Sequence, residues 1–159
     1  MINGDFWLGK KVLITGHTGF KGSWLTLLLA KLGSKITGVA LDPVKGPSLY
    51  KLLELSNDIK DIRCDIRDYQ ALKKIVSNEK PEIIIHMAAQ PLVRKSYQEP
   101  LLTYETNVNG TVNLLESARN LESLKLIVVV TSDKCYKNLN SDYSYLEDDA
   151  LGGNDPYSS

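Results

Sequence analysis

The sequence predicts an α/β fold: a parallel sheet covered by helices on both faces. Three observations carry that prediction. Short apolar runs rich in β-branched residues alternate with longer stretches whose apolar residues fall at helical spacing. The runs are apolar almost throughout, as in strands buried on both faces, and do not alternate as half-exposed strands would. The first run leads straight into a glycine-rich turn and then a helix-like stretch. At 159 residues the chain has the size of one ordinary domain, and a chain of this length buries roughly 70% of its unfolded surface.

The elements follow in order. Lys11 to Thr15 reads as a strand. Lys21 to Leu32 reads as a helix stopped by Gly33. Lys35 to Ala40 is a second strand, and Asp42 to Pro47, with two prolines and a glycine, is a loop. A short helix is expected over Ser48 to Leu55, a third strand over Ile59 to Cys64, and a helix over Asp68 to Ser77 with Asp68 as its cap. Glu82 to Met87 is a fourth strand. Pro100 to Asn120 reads as one long helix, with Pro100 suited to its first turn. Leu126 to Thr131 is a fifth strand, and the chain beyond it is polar and irregular.

Composition excludes several classes of function. Lys plus Arg number 19 and Asp plus Glu number 19, so no basic excess favours a nucleic-acid backbone or an anionic membrane. No apolar run approaches the roughly 20 residues of a membrane span. Met1 to Trp7 lacks the basic segment and apolar block of a secretory leader. Cys64 and Cys135 have no metal-ligand spacing and read as free thiols, which predicts a cytoplasmic protein.

The first strand runs into Gly16-His17-Thr18-Gly19-Phe20-Lys21-Gly22. Glycines at these spacings serve a tight turn, a close approach of backbone to a pyrophosphate, and close packing of helix on sheet. The helix start at Phe20 to Gly22 then offers free N–H groups and a positive dipole end to phosphate. In this strand–turn–helix context the run predicts a dinucleotide site on a Rossmann-like doubly wound sheet of about five strands. A ribose-binding acid belongs at the tip of the second strand. The nearest acid is Asp42, read equally as a turn aspartate before Pro43. No arginine stands in that stretch for a 2′-phosphate, which favours NAD over NADP.

These residues resemble the extended short-chain dehydrogenase/reductases, NAD-dependent enzymes acting on nucleotide-linked sugars. Cys64-Asp65-Ile66-Arg67-Asp68 is similar to the family's segment after the third strand, and the resemblance makes Asp65 and Ile66 adenine contacts. His86-Met87-Ala88-Ala89-Gln90 resembles the fourth-strand segment across which the dinucleotide lies. Glu105-Thr106-Asn107-Val108-Asn109-Gly110-Thr111 resembles the mid-helix segment that supports it, with Thr106 among the contacts. The cofactor set is therefore Gly16, Thr18, Gly19, Phe20, Lys21, Gly22, Asp42, Asp65, Ile66, Met87, Ala88, Ala89, Gln90 and Thr106.

Within the family, the branch of 4,6-dehydratases acting on CDP-glucose is most similar. It is matched by Pro91-Leu92-Val93-Arg94, by Thr131-Ser132-Asp133-Lys134-Cys135-Tyr136, and by Gly152-Gly153-Asn154-Asp155-Pro156-Tyr157-Ser158. Tyr145-Leu146-Glu147 departs from the usual Tyr-Arg-Glu. The resemblance implies loss of water from CDP-glucose to give CDP-4-dehydro-6-deoxyglucose, a precursor of deoxysugars in O-antigen-type polysaccharides. Tyr157 is then the base at the C4 hydroxyl and Ser132 its hydrogen-bonding partner. Asp133 is the acid for the departing hydroxyl. Lys134 is either the C5 base or an orienting cation. Arg94 is read equally as a substrate contact and as a solvated charge, and His17 and His86 as structural. The other readings are a dTDP-glucose dehydratase, a 4-epimerase, or a non-catalytic NAD-binding module.

In the family the tyrosine is paired with a lysine four positions on, two beyond Ser159. The expectation is an N-terminal piece of a homo-oligomeric dehydratase, inactive alone, with an incomplete cofactor domain over residues 1–159 and no substrate domain. An apolar sheet edge and apolar helix faces should then be exposed.

Overall fold

A computed structural model describes residues 4–138 and 142–159. Met1, Ile2 and Asn3, part of the stretch read above against a leader, lie outside the described residues. Five parallel strands form one sheet: β1 (Lys11–Thr15), β2 (Lys35–Ala40), β3 (Lys60–Arg63), β4 (Ile83–His86) and β5 (Leu126–Val129), in the order β3-β2-β1-β4-β5. The chain starts at the centre, winds outward to β3, then returns past β1 to β4 and β5. The order reverses beside β1, and at such a switch point the carboxyl ends of the strands open a crevice.

Alternate residues of the strands feed two cores. Leu13, Val39 and Ile84 face one side, packed with Ile66, Leu72, Val76, Leu114 and Ala118. Val12, Ile14, Ile36, Ile83 and Ile85 face the other, packed with Leu29. Helices α4 (Tyr69–Glu79) and α7 (Gly110–Ala118) supply the first side. Helices α1 (Gly4–Trp7) and α2 (Phe20–Lys31) supply the second. The two-sided, doubly wound sheet predicted from sequence is therefore the one observed.

Local signals behave as their chemistry requires. Asp68 caps α4 by accepting the Ala71 N–H at 3.0 Å, and Ser48 caps α3 (Leu49–Leu52) through the Lys51 N–H. Gly33 stops the chain after α2 at φ +81°, the left-handed region open to glycine. At the amino edge of the sheet Glu82 accepts from Lys125 Nζ at 2.9 Å, from Lys10 Nζ and from the Lys11 N–H. These donors, Lys125 first, hold its carboxyl at about 2.

The long helix expected over Pro100 to Asn120 runs without a gap from Pro100 to Ala118, with a π-turn inside it. It consists of α6 (Pro100–Tyr104), a π-turn over Glu105–Asn109, and α7. Two tertiary contacts account for the π-turn. The Asn107 side chain is drawn onto the backbone of Gln90, accepting its N–H at 2.8 Å and donating to its carbonyl at 3.1 Å. One turn later Gly110 lies so close to Ile66 that an added Cβ would stand 2.5 Å from Cδ1. A wide turn reconciles both positions. Helices α1 and α5 (Val93–Gln98) were not foreseen, being too short to display a period.

Apolar surface is exposed where the sequence predicted it. Leu126, Val128 and Val130 lie open along the β5 edge, and Leu101, Tyr104, Val108, Val112 and Leu115 along α6, the π-turn and α7. No helix among the described residues is long and apolar enough to cross a membrane.

Candidate functional site

The carboxyl ends of all five strands gather the predicted residues. At the end of β1, Gly16 turns at φ +76°, and a Cβ there would stand 2.7 Å from the Ala88 nitrogen. A Cβ on Gly22 would stand 2.2 Å from the Gly16 carbonyl oxygen, whereas one on Gly19 meets that oxygen only at 3.3 Å. Gly16 and Gly22 thus set how tightly turn, helix and β4 loop nest. The first helical bond of α2 runs from the Ser23 N–H to the Gly19 carbonyl at 2.8 Å. The N–H groups of Phe20, Lys21 and Gly22 therefore lack intrahelical partners. No acidic residue stands in that first turn, and Phe20 and Lys21 are exposed. A cradle filled by any Cβ, with free N–H groups at its rim, fits a pyrophosphate.

The loop after β4 is fastened to β1 by one hydroxyl. Thr15 Oγ1 accepts the N–H groups of Met87 and Ala88, each at 3.1 Å. Both its lone pairs are then engaged, so its proton goes to His86 Nδ1, 2.6 Å away. His86 consequently carries its proton on Nε2 and donates to Thr111 Oγ1 at 3.0 Å. Thr111 in turn donates to the Asn107 carbonyl at 2.7 Å. Burial depresses the His86 pKa to about 4, which keeps the imidazole neutral. Gln90 is buried, and its side chain holds Leu92 and Thr103. Ala89 is exposed, Met87 and Ala88 half-buried, and Thr106 lies half-buried in the π-turn.

The tips of β2 and β3 carry charge. Their register pairs Ala40 with Arg63, so an arginine does stand beside the β2 tip, correcting the sequence reading. Arg63 Nε pairs with Asp42 at 3.3 Å, and its Nη2 with Asp61 at 2.7 Å. Asp61 also meets the buried His17 Nε2 at 3.0 Å and the Tyr50 hydroxyl. Burial pushes the His17 pKa down more than Asp61 raises it. His17 packs over Gly38, where a Cβ would stand 2.5 Å from its ring. Further along, Arg67 grips both oxygens of Asp65 and reaches Glu105 at 3.1 Å. That grip holds the Asp65 carboxyl below its ordinary range. Ile66 is buried beneath α7.

Ser132 follows β5 and caps a short 3-10 turn over Asp133–Cys135 by accepting the Lys134 N–H at 3.1 Å. Asp133 and Lys134 are exposed, and Ser132 is half-buried. An antiparallel bridge between Tyr136 and Leu151, with the Gly152 N–H on the Cys135 carbonyl at 2.9 Å, folds the last residues back toward this turn. There Asp155 accepts the N–H groups of Tyr157 and Ser158 at 2.9 and 3.1 Å and fixes the half-buried Tyr157 backbone. No hydrogen bond joins Tyr157 to Ser132, Asp133 or Lys134 among the described residues. Arg94 is exposed in the first turn of α5.

Sequence reasoning missed Thr15, Asn107, Thr111, Asp61 and Arg63. Thr15 reveals itself only through contacts 71 to 73 residues away, Thr111 through His86 at 25 residues, and Asn107 through Gln90 at 17. Arg63 needed the register of β2 and β3.

A family model described as GDP-mannose 4,6 dehydratase matches residues 13–159. The chain is 49% identical over 99% of its length to the CDP-glucose 4,6-dehydratase of Salmonella typhimurium, and spans 44% of that relative. The fold is similar to the solved UDP-glucose 4-epimerase of Brucella ovis in complex with NAD, with TM-score 0.79 and 25% identity, covering 94% of this chain and 44% of that one. It is also similar to an epimerase of Methanothermobacter thermautotrophicus, with TM-score 0.82 and 26% identity over 98% of this chain and 45% of the other.

Proposed function

The chain belongs to the GDP-mannose 4,6-dehydratase family, and from that membership we propose that it is the cofactor-binding part of an NAD-dependent 4,6-dehydratase acting on CDP-glucose. The observation that carries the reading is the position of Ser132-Asp133-Lys134, directly after β5 and on the same sheet edge as the glycine cradle. The 49% identity to a CDP-glucose 4,6-dehydratase supports the nucleotide. The exposed apolar residues of α6 and α7 support self-association of the protein that contains this chain. The free Cys64 and Cys135 support a cytoplasmic setting.

Gly16, Gly19 and Gly22 hold the pyrophosphate against the N–H groups of α2. Asp42 takes the adenosine ribose, Asp65 and Ile66 the adenine, and Met87 to Gln90 with Thr106 the floor beneath. NAD supplies a reversible acceptor for the hydride at C4. Tyr157 removes the proton of the C4 hydroxyl while Ser132 hydrogen-bonds the same oxygen. The C4 ketone acidifies the C5 proton, which passes to Lys134 or to a group that Lys134 orients. Asp133 protonates the leaving C6 hydroxyl and water departs; the hydride taken from C4 would then return to C6 and the proton to C5, which leaves a 4-ketone with a methyl group at C5.

The test is turnover by the protein containing this chain, supplied in turn with CDP-, UDP- and dTDP-glucose. The expected result is a 4-keto-6-deoxy sugar from CDP-glucose, detected by its ultraviolet absorbance in alkali. A galactose product from UDP-glucose, without loss of water, refutes the reading in favour of a 4-epimerase.

A further inference from the structure

We infer that Arg63, paired with Asp42 at 3.3 Å, positions the carboxylate that selects the cofactor at the adenosine 2′ position. The inference rests on the dinucleotide reading above and adds a determinant to it.

The guanidinium lies at the phosphate-binding turn, not off the side of the sheet. The Leu41 carbonyl accepts both the Thr18 hydroxyl, at 3.1 Å, and Arg63 Nη1, at 3.2 Å. One backbone oxygen thus joins the glycine turn to the β3 arginine, at the tip of β2 where an adenosine ribose is read. Arg63 is held from below as well. Its Nη2 meets Asp61 at 2.7 Å and the Tyr50 hydroxyl at 3.4 Å, and its guanidinium carbon stands 5.3 Å from the Tyr50 ring centroid. Asp42 alone approaches from solvent, with its side chain 88% exposed.

This arrangement sets a preference. Arg63 orients the Asp42 carboxylate, which accepts a ribose hydroxyl and repels a 2′-phosphate. Two carboxylates around one guanidinium leave the cluster net negative. When Asp42 is neutralised, Nε of Arg63 is freed, and a planar guanidinium already fixed on three sides is suited to a phosphate.

The test is calorimetric titration of ADP-ribose and 2′-phospho-ADP-ribose into the protein that contains this chain and into its Asp42→Asn, Arg63→Gln, Arg63→Lys and Asp42→Asn/Arg63→Gln variants. Thermal unfolding accompanies each variant as a fold control. The wild type should prefer ADP-ribose. Asp42→Asn should shift the preference toward the 2′-phosphate by about tenfold or more, chiefly by tighter binding of the phosphorylated ligand. The double variant should lose that gain. Arg63→Lys, which keeps the charge on a folded background, should weaken ADP-ribose binding less than Arg63→Gln. An unchanged ratio in Asp42→Asn, or a gain that survives in the double variant, overturns the assignment. A wild type that binds neither ligand overturns the dinucleotide site itself, and the assignment with it.

Discussion

Thr15 Oγ1 and His86 Nδ1 lie 2.6 Å apart and lock the first strand to the loop after the fourth. The hydroxyl donates to the ring while accepting two N–H groups of the loop. One side chain therefore fixes both the tautomer of His86 and the loop at the carboxyl end of β4. Thr15→Val removes all three bonds and leaves the Ala88 N–H and a ring nitrogen unpaired, while the Met87 N–H keeps the Thr15 carbonyl at 3.2 Å. A loss of about 2–4 kcal/mol is expected in urea unfolding. Thr15→Ser keeps the hydroxyl and should lose clearly less.

His86 makes stability depend on pH. Its pKa is about 4 when folded against 6.5 when free, so between those values the unfolded chain binds more protons. Stability is full above pH 6.5 and falls as the pH drops toward 4, by on the order of 3 kcal/mol from this residue. His17, also depressed by burial, adds in the same direction. Denaturant midpoints measured across this window should show the slope, and His86→Gln should flatten it.

The glycines of the turn are not equivalent. Gly22→Ala drives a Cβ to 2.2 Å from the Gly16 oxygen, while Gly19→Ala brings one only to 3.3 Å. Gly22→Ala should lower NAD affinity by about tenfold or more and destabilise the fold by about 2 kcal/mol or more. Gly19→Ala, at φ −75°, should retain most of the stability. Calorimetry and thermal unfolding separate the two.

In the protein that contains this chain, Tyr157→Phe should reduce kcat by about 10²–10⁴-fold with little change in KM. Retention of wild-type kcat excludes Tyr157 as the base. Asp133→Asn should also reduce kcat, because an amide cannot protonate the leaving hydroxyl.

Leu115 and Val112 lie exposed on α7. If this face joins subunits, Leu115→Glu should lower the sedimenting mass of that protein and leave its helical circular dichroism unchanged.

The sequence by itself determined the parallel two-sided sheet, because strand hydrophobicity and helix caps are local signals. It also marked Gly16 and Gly22, since a turn that tolerates no Cβ leaves a glycine at each such position. The tertiary structure decided what local signals cannot encode. The π-turn exists because Asn107 is pulled onto Gln90 while Gly110 is pressed onto Ile66. Arg63 reaches the tip of β2 through strand register, and His86 takes its proton on Nε2 because of a threonine 71 residues away. In each case the deciding energy is a hydrogen bond or close contact between residues far apart in the chain, and it becomes available only when the sheet has assembled.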